Sequence, residues 1–171
     1  MANLILIRGY PGSGKTTLGK MLEKNAWGIF IDHNAILTFL AGIVGDDNGM
    51  YDEIHALELS MARKVITENK SVIVARGFSK DIDIEPYRRI AQELNIETTV
   101  FRLDVNLSIL KDRVTAPERK MDYNPTISAE ALAEWVKDNP LEDIDCEIII
   151  DATQSLSQVL SDIERHIKQL S

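Results

Sequence analysis

Cysteine is almost missing from these 171 residues: Cys146 stands alone, so neither an intramolecular disulfide nor a cysteine-based zinc site can form. The three histidines, His33, His55 and His166, are scattered without metal-ligand spacing. A reducing, cytoplasmic setting is the expectation. Long apolar runs are also lacking. The first, Leu4 to Ile7, stops at Arg8, far short of the roughly 20 residues of a membrane span, and no basic start, long apolar stretch or small-residue cleavage site marks a leader. Basic excess is lacking too, with 19 Lys+Arg against 27 Asp+Glu and a net charge of −8. That balance excludes a surface that coats nucleic acid, so any anionic ligand must be held by a local cluster. No linker, repeat or low-complexity tract interrupts the chain, whose five prolines are scattered. One domain over residues 1–171 is expected, long enough to bury about 70% of its unfolded surface.

What is present is an alternation of short β-rich runs with segments of helical period, the pattern of βα units around a parallel sheet. Strands are expected at 3–8, 28–32, 71–75, 98–104 and 147–151, with continuous apolar centres that suit burial on both faces. Helices are expected at about 15–24, 33–43, 51–69, 85–94, 106–114, 128–137 and 155–169, with Ser128 and Ser155 as N-caps. In the third helix Ile54, Leu57, Met61, Val65 and Ile66 form the expected inward stripe.

Directly after the first strand comes Gly9-Tyr10-Pro11-Gly12-Ser13-Gly14-Lys15-Thr16-Thr17, which fits the Walker A pattern in its required strand, loop, helix context. Gly9, Gly12 and Gly14 permit backbone geometry in which successive N–H groups point into one concavity and bind phosphate oxygens. Lys15 adds a charge for the β and γ phosphates, the helix start adds its positive end, and the Thr16 hydroxyl can ligate Mg²⁺. Thr17 either touches an α-phosphate or simply occupies the first turn.

The other strand ends narrow the class. Guanine recognition by N-K-x-D fails, because Asn69-Lys70 runs into Ser71-Val72. Asp46-Asp47-Asn48-Gly49 has the loose spacing of a γ-phosphate switch but reads more simply as an acidic turn. Three strands end in Asp (Asp32, Asp104 and Asp151), whereas the third ends in Ala75-Arg76-Gly77, so the usual Walker B position lacks its carboxylate. Asp32 is then the best candidate for a base or for holding a metal-bound water, with an N-cap as its structural alternative. His33 and Asn34 read as wall or capping residues.

Arg113 ends a helix and leads into a loop with Arg119 and Lys120, where a lid over about 115–127 can fold onto a triphosphate. The turn 151–154, with Thr153, lies where adenine is commonly received. Arg76 either holds an anionic group of an acceptor or makes a surface ion pair.

Together the loop 9–17, Phe30-Ile31-Asp32, Val72-Ile73-Val74 and Leu103-Asp104-Val105 leading to Arg113 and Arg119 resemble the P-loop kinases that include phage-type polynucleotide kinase, chloramphenicol phosphotransferase, shikimate kinase and the zeta toxins. The resemblance implies an α/β three-layer fold, a parallel sheet in order 2-3-1-4-5, Mg-ATP as donor, a base near Asp32 and a lid arginine on the moving phosphoryl group. Alignment with that pattern leaves Asp32 or Asn34 at the base position, and only Asp32 can accept a proton. The expected activity is transfer of the γ-phosphate of ATP to a hydroxyl of a small molecule, nucleoside, nucleotide or short oligonucleotide 5′ end. The competing expectation is a regulatory or toxin-like ATP-binding protein with little acceptor turnover.

Overall fold

The computed structural model describes residues 2–44, 50–117 and 127–170. Five strands, β1 (Asn3–Arg8), β2 (Ile29–Ile31), β3 (Val72–Ala75), β4 (Glu97–Asp104) and β5 (Ile148–Asp151), form one sheet in the order β2-β3-β1-β4-β5. Every pairing is parallel, as the expected order 2-3-1-4-5 requires. The helices are α1 (Lys15–Lys24), α2 (His33–Val44), α3 (Tyr51–Thr67), α4 (Asp81–Glu93), α5 (Leu107–Thr115), α6 (Ala129–Asp138) and α7 (Leu156–Leu170).

The central strand explains the layering. Leu4, Ile5, Leu6 and Ile7 are all buried, which a two-period strand achieves only if helices cover both faces. Ile5, Ile7, Ile73, Phe101 and Leu103 pack with Leu18, Leu22, Leu110, Leu132 and Ile163, which places α1, α5, α6 and α7 on one face. Leu4, Leu6, Val72, Val74 and Val100 pack with Ile36, Ile54, Ala62, Ile84 and Ile90, which places α2, α3 and α4 on the other. All strands therefore end on one edge, where the loops that follow β1, β2 and β3 meet.

Two local expectations change. The buried stripe of α3 is Ile54, Glu58, Ala62 and Ile66, a strict four-residue spacing, while Leu57 and Met61 are exposed. The stripe rotates because Glu58 has buried partners on neighbouring elements. Helix α4 starts at Asp81 rather than 85, because the Asp83 carboxylate accepts the Lys80 N–H at 3.0 Å and so nucleates a turn before Pro86.

The seat of α1 on β2 is tight. A Cβ on Gly19 would lie 2.5 Å from Phe30 Cε2, so the helix reaches the strand only because residue 19 has no side chain. Gly19→Ala should cost about 1–3 kcal/mol through overpacking. In a Phe30→Ala background the same change should stabilise the protein, by up to about 1 kcal/mol of helix propensity. A double-mutant cycle in urea that shows additive effects would refute this contact.

Candidate active site

A cavity of about 610 Å³ opens at the carboxyl edge of the sheet, and the Walker A loop forms its floor. Gly9, Pro11, Gly12, Ser13, Gly14, Lys15, Thr16 and Thr17 all line it, as the motif predicts. Gly9 has φ 150°, and a Cβ there would meet Ser13 Oγ at 2.8 Å and the Leu103 carbonyl oxygen at 3.0 Å. Gly14 has φ 99° and caps α1 in the left-handed region, where the chain turns from loop to helix. Lys15 Nζ donates to the carbonyls of Gly9 at 2.8 Å and Tyr10 at 2.9 Å, which holds the ammonium across the loop mouth.

Tyr10 takes a different part from its neighbours. Its hydroxyl accepts the Leu141 N–H at 3.0 Å and its ring stands edge-on to Trp135 at 6.2 Å, so it ties the loop to the segment after α6. One residue earlier, the fully buried Arg8 donates to Glu147 Oε2 at 2.9 Å and to the Glu142 carbonyl at 2.8 Å. Burial lowers the Arg8 pKa more than Glu147 restores it. Arg102 holds the other oxygen, Glu147 Oε1, at 2.9 Å. The strand that delivers the loop is thereby bolted to residues 142–147.

On one side the cavity is walled by Arg113, Trp135, Ala152, Gln154 and Leu156. Arg113 donates from Nη2 to the Ala152 carbonyl at 2.9 Å, which spans α5 and the β5–α7 turn. Within that turn Thr153 donates its N–H and hydroxyl to Asp151 Oδ1, at 3.0 and 2.5 Å. Hydrogen bonds from the Thr153 hydroxyl and then its backbone keep the Asp151 carboxylate below its ordinary pKa. Thr153 thus shapes the turn, and its neighbours Ala152 and Gln154 line the cavity. Arg119, Lys120 and most of the expected lid fall outside the described residues, as does the acidic turn 46–49.

The opposite wall is His33, Asn34, Tyr51, Ala75, Arg76 and Gly77. Ala75 pairs with Ile7, so β3 does lie beside β1 and Arg76 stands at the end of the strand where a Walker B acid is usual. Asp32 adopts the capping geometry: its Oδ1 accepts the Asn34 N–H at 3.1 Å, and its Oδ2 lies 3.5 Å from Lys20 Nζ. Glu58 was legible only as one of several acids in its region. Fully buried, it gives Oε2 to Arg76 Nη1 at 2.6 Å and Oε1 to His33 Nδ1 at 2.9 Å. Arg76 stacks over Tyr51, 4.8 Å from the ring centroid. Burial opposes the Arg76 charge, but Glu58 and Tyr51 outweigh it and raise its pKa. Burial first, then the Glu58 charge, push the Tyr87 phenol well up, and its hydroxyl lies 3.4 Å from Glu58 Oε2. The missed signal was an acid at a core-phased position of α3 together with an arginine at a buried strand end.

Strand order, glycine loop and cavity define a P-loop α/β fold of the nucleoside-triphosphate-binding type. Residues 4–138 match the family model described as an AAA domain, and the chain belongs to that family. Similar folds occur in a protein provisionally described as a kinase from Chloroflexus aurantiacus, at 15% identity, TM-score 0.78 and coverage of 98% of this chain and 97% of that one. A gluconokinase from Sinorhizobium meliloti aligns at 17% identity and TM-score 0.63 over 99% and 97%. An unliganded sugar kinase from Janibacter sp. aligns at 18% and 0.66 over 95% and 92%. No curated protein matches the sequence.

Glu58→Ala should unfold the protein more easily by about 3–5 kcal/mol, because it strands the buried Arg76 charge. Chemical denaturation checks this, and a loss under 1 kcal/mol would mean that Arg76 finds another partner.

Proposed function

We propose that the chain is an ATP-dependent kinase that moves the γ-phosphate of ATP to a hydroxyl, as residues 1–171 of one P-loop unit with a lid over about 115–127. The observation that carries this reading is a single cavity with two chemically different walls. Its floor is the glycine loop with Lys15, one wall carries Arg113, and the other presents His33, Asn34, Tyr51 and Arg76 to a second molecule. The kinase descriptions of the similar folds support the same reading, as does the likeness to the polynucleotide kinase and chloramphenicol phosphotransferase group.

The residues fit a nucleotide with Mg²⁺. Gly9, Gly12 and Gly14 all have positive φ, a Cβ at Gly9 would collide with Ser13 and the Leu103 carbonyl, and Thr16 lines the cavity beside them. Among the described residues no cluster of three or more acids, histidines or cysteines could hold a metal alone, so the donor set is Thr16, the phosphates and water, with Asp32 beyond it. When bound, Mg²⁺ screens the phosphate charge and so favours attack at the γ-phosphorus. Lys15 transfers its two carbonyl hydrogen bonds to phosphate oxygens, and Arg113, anchored on Ala152, adds positive charge beside them. Asp32 accepts the proton of the attacking hydroxyl, for which it must leave the cap on Asn34 and the contact with Lys20. Among the described residues no helix is long and apolar enough to cross a membrane.

Turnover of radiolabelled ATP with a panel of sugars, nucleosides, oligonucleotides and small alcohols tests the reading. At least one acceptor should raise turnover well above the Lys15→Ala background, and none doing so would leave only an ATP-binding protein. Lys15→Ala should also weaken ATP binding, read by calorimetry, and unchanged affinity would contradict the loop assignment. Asp32→Asn should slow transfer by about 10²–10⁴-fold, the range for a lost general base, with nucleotide affinity nearly intact. Full activity in that variant would leave Asp32 as a helix cap alone.

A further inference from the structure

We propose that the acceptor wall selects an uncharged, hydroxyl-rich molecule over one bearing a carboxylate or phosphate, because the Arg76 guanidinium that lines it is already neutralised by the buried Glu58. This rests on the phosphotransferase reading, since only a second substrate gives that wall its purpose. The sequence left Arg76 as either an anion receptor or a surface ion pair. The structure makes it neither: Arg76 lines the cavity, yet it is 7% exposed and bonded at 2.6 Å to a carboxylate that is 0% exposed.

Glu58 cannot swing aside. Its Oε1 is held by His33 Nδ1 at 2.9 Å and its Oε2 by Arg76 at 2.6 Å with the Tyr87 hydroxyl at 3.4 Å. The pair therefore presents no net charge to the cavity. An acceptor bound beside a triphosphate is already in a negative field, so a second anion needs an uncompensated cation on its own wall. Among the described residues Lys15 and Arg113 serve the loop side, and the acceptor wall has only Arg76 with its counter-ion. What that wall offers besides is the amide of Asn34, the imidazole of His33 and the hydroxyl of Tyr51. The Asn34 amide and the Tyr51 hydroxyl donate and accept without charge, which is what a sugar, polyol or nucleoside requires of its site.

The test is calorimetric binding of matched pairs to the full chain with Mg²⁺ and a non-hydrolysable ATP analogue: glucose and glucose 6-phosphate, ribose and ribose 5-phosphate, adenosine and AMP. At least one neutral member should bind about tenfold or more tightly than its anionic counterpart. Glu58→Gln should move that ratio towards the anion by about tenfold, or ~1.4 kcal/mol. The double variant Glu58→Gln with Arg76→Gln should keep the neutral preference, and it replaces the single variant if that one does not fold. Tighter binding of the anionic member of any pair, no binding by any neutral member, or a ratio unmoved in a folded Glu58→Gln protein overturns the proposal. Transfer from ATP is measured separately. A neutral molecule that binds on these terms and is never phosphorylated upholds the specificity of the wall and defeats the kinase reading instead.

Discussion

The fold depends on β1 ending in a glycine loop whose backbone turns directly into α1. Gly9 lies so close to Ser13 and to the Leu103 carbonyl that no other residue fits, and Gly14 must turn left-handed to start α1. Such a loop is precise only if the strand beneath it does not move. Burial of Leu4 to Ile7 on both faces and the ion pair of Arg8 with Glu147 provide that rigidity. Arg8 Nη1 donates to Glu147 and its Nη2 to the carbonyls of Glu142 and Ser79, while the buried Nε has no partner among the described residues.

The same logic governs the opposite wall at higher cost. Burying Glu58 and Arg76 together sacrifices hydration on both, and a hydrophobic pair of like volume would serve stability as well or better. Their value is geometric: one carboxylate fixes the side chains of His33 from α2 and Arg76 from the end of β3, elements that share no continuous chain. Tyr51 and Tyr87 close over that pair, and the raised pKa of the Tyr87 phenol reflects the same burial and charge.

How much of this could be read from the chain follows from the range of the interactions concerned. The strands, the helix α1 at 15–24 and the Walker A loop are local: apolar runs, glycines and Lys15 lie within one segment, and each was legible to within a residue or so. Sheet order followed from the resemblance rather than from any pattern in the residues, because pairing of β3 with β1 joins segments more than sixty residues apart. Glu58 was illegible for a sharper reason. Glu58 stands in core phase, four residues after Ile54 and four before Ala62, but its charge reads as the wet side of a helix until Arg76 and His33 are placed beside it. The phase of α3 was misread in consequence, with Leu57 and Met61 assigned to a core they only edge. Asp32 shows the converse: its residue type suited both a base and a cap, and its Oδ1 accepts the Asn34 N–H while its Oδ2 lies 3.5 Å from Lys20.

The net charge of −8 is compatible with a cavity that gathers Lys15 and Arg113 because those cations are positioned by backbone carbonyls. Lys15 donates to two carbonyls of the loop, and Arg113 is aimed by the Ala152 carbonyl. Arg63, Arg88 and Arg102, by contrast, each face an acid on the surface or at the sheet edge and contribute little field at the cavity. Neutral carbonyl partners orient a cation without cancelling it; a carboxylate partner orients and cancels at once. On one wall the Glu58 carboxylate orients and neutralises Arg76, whereas on the loop side carbonyls orient Lys15 and Arg113.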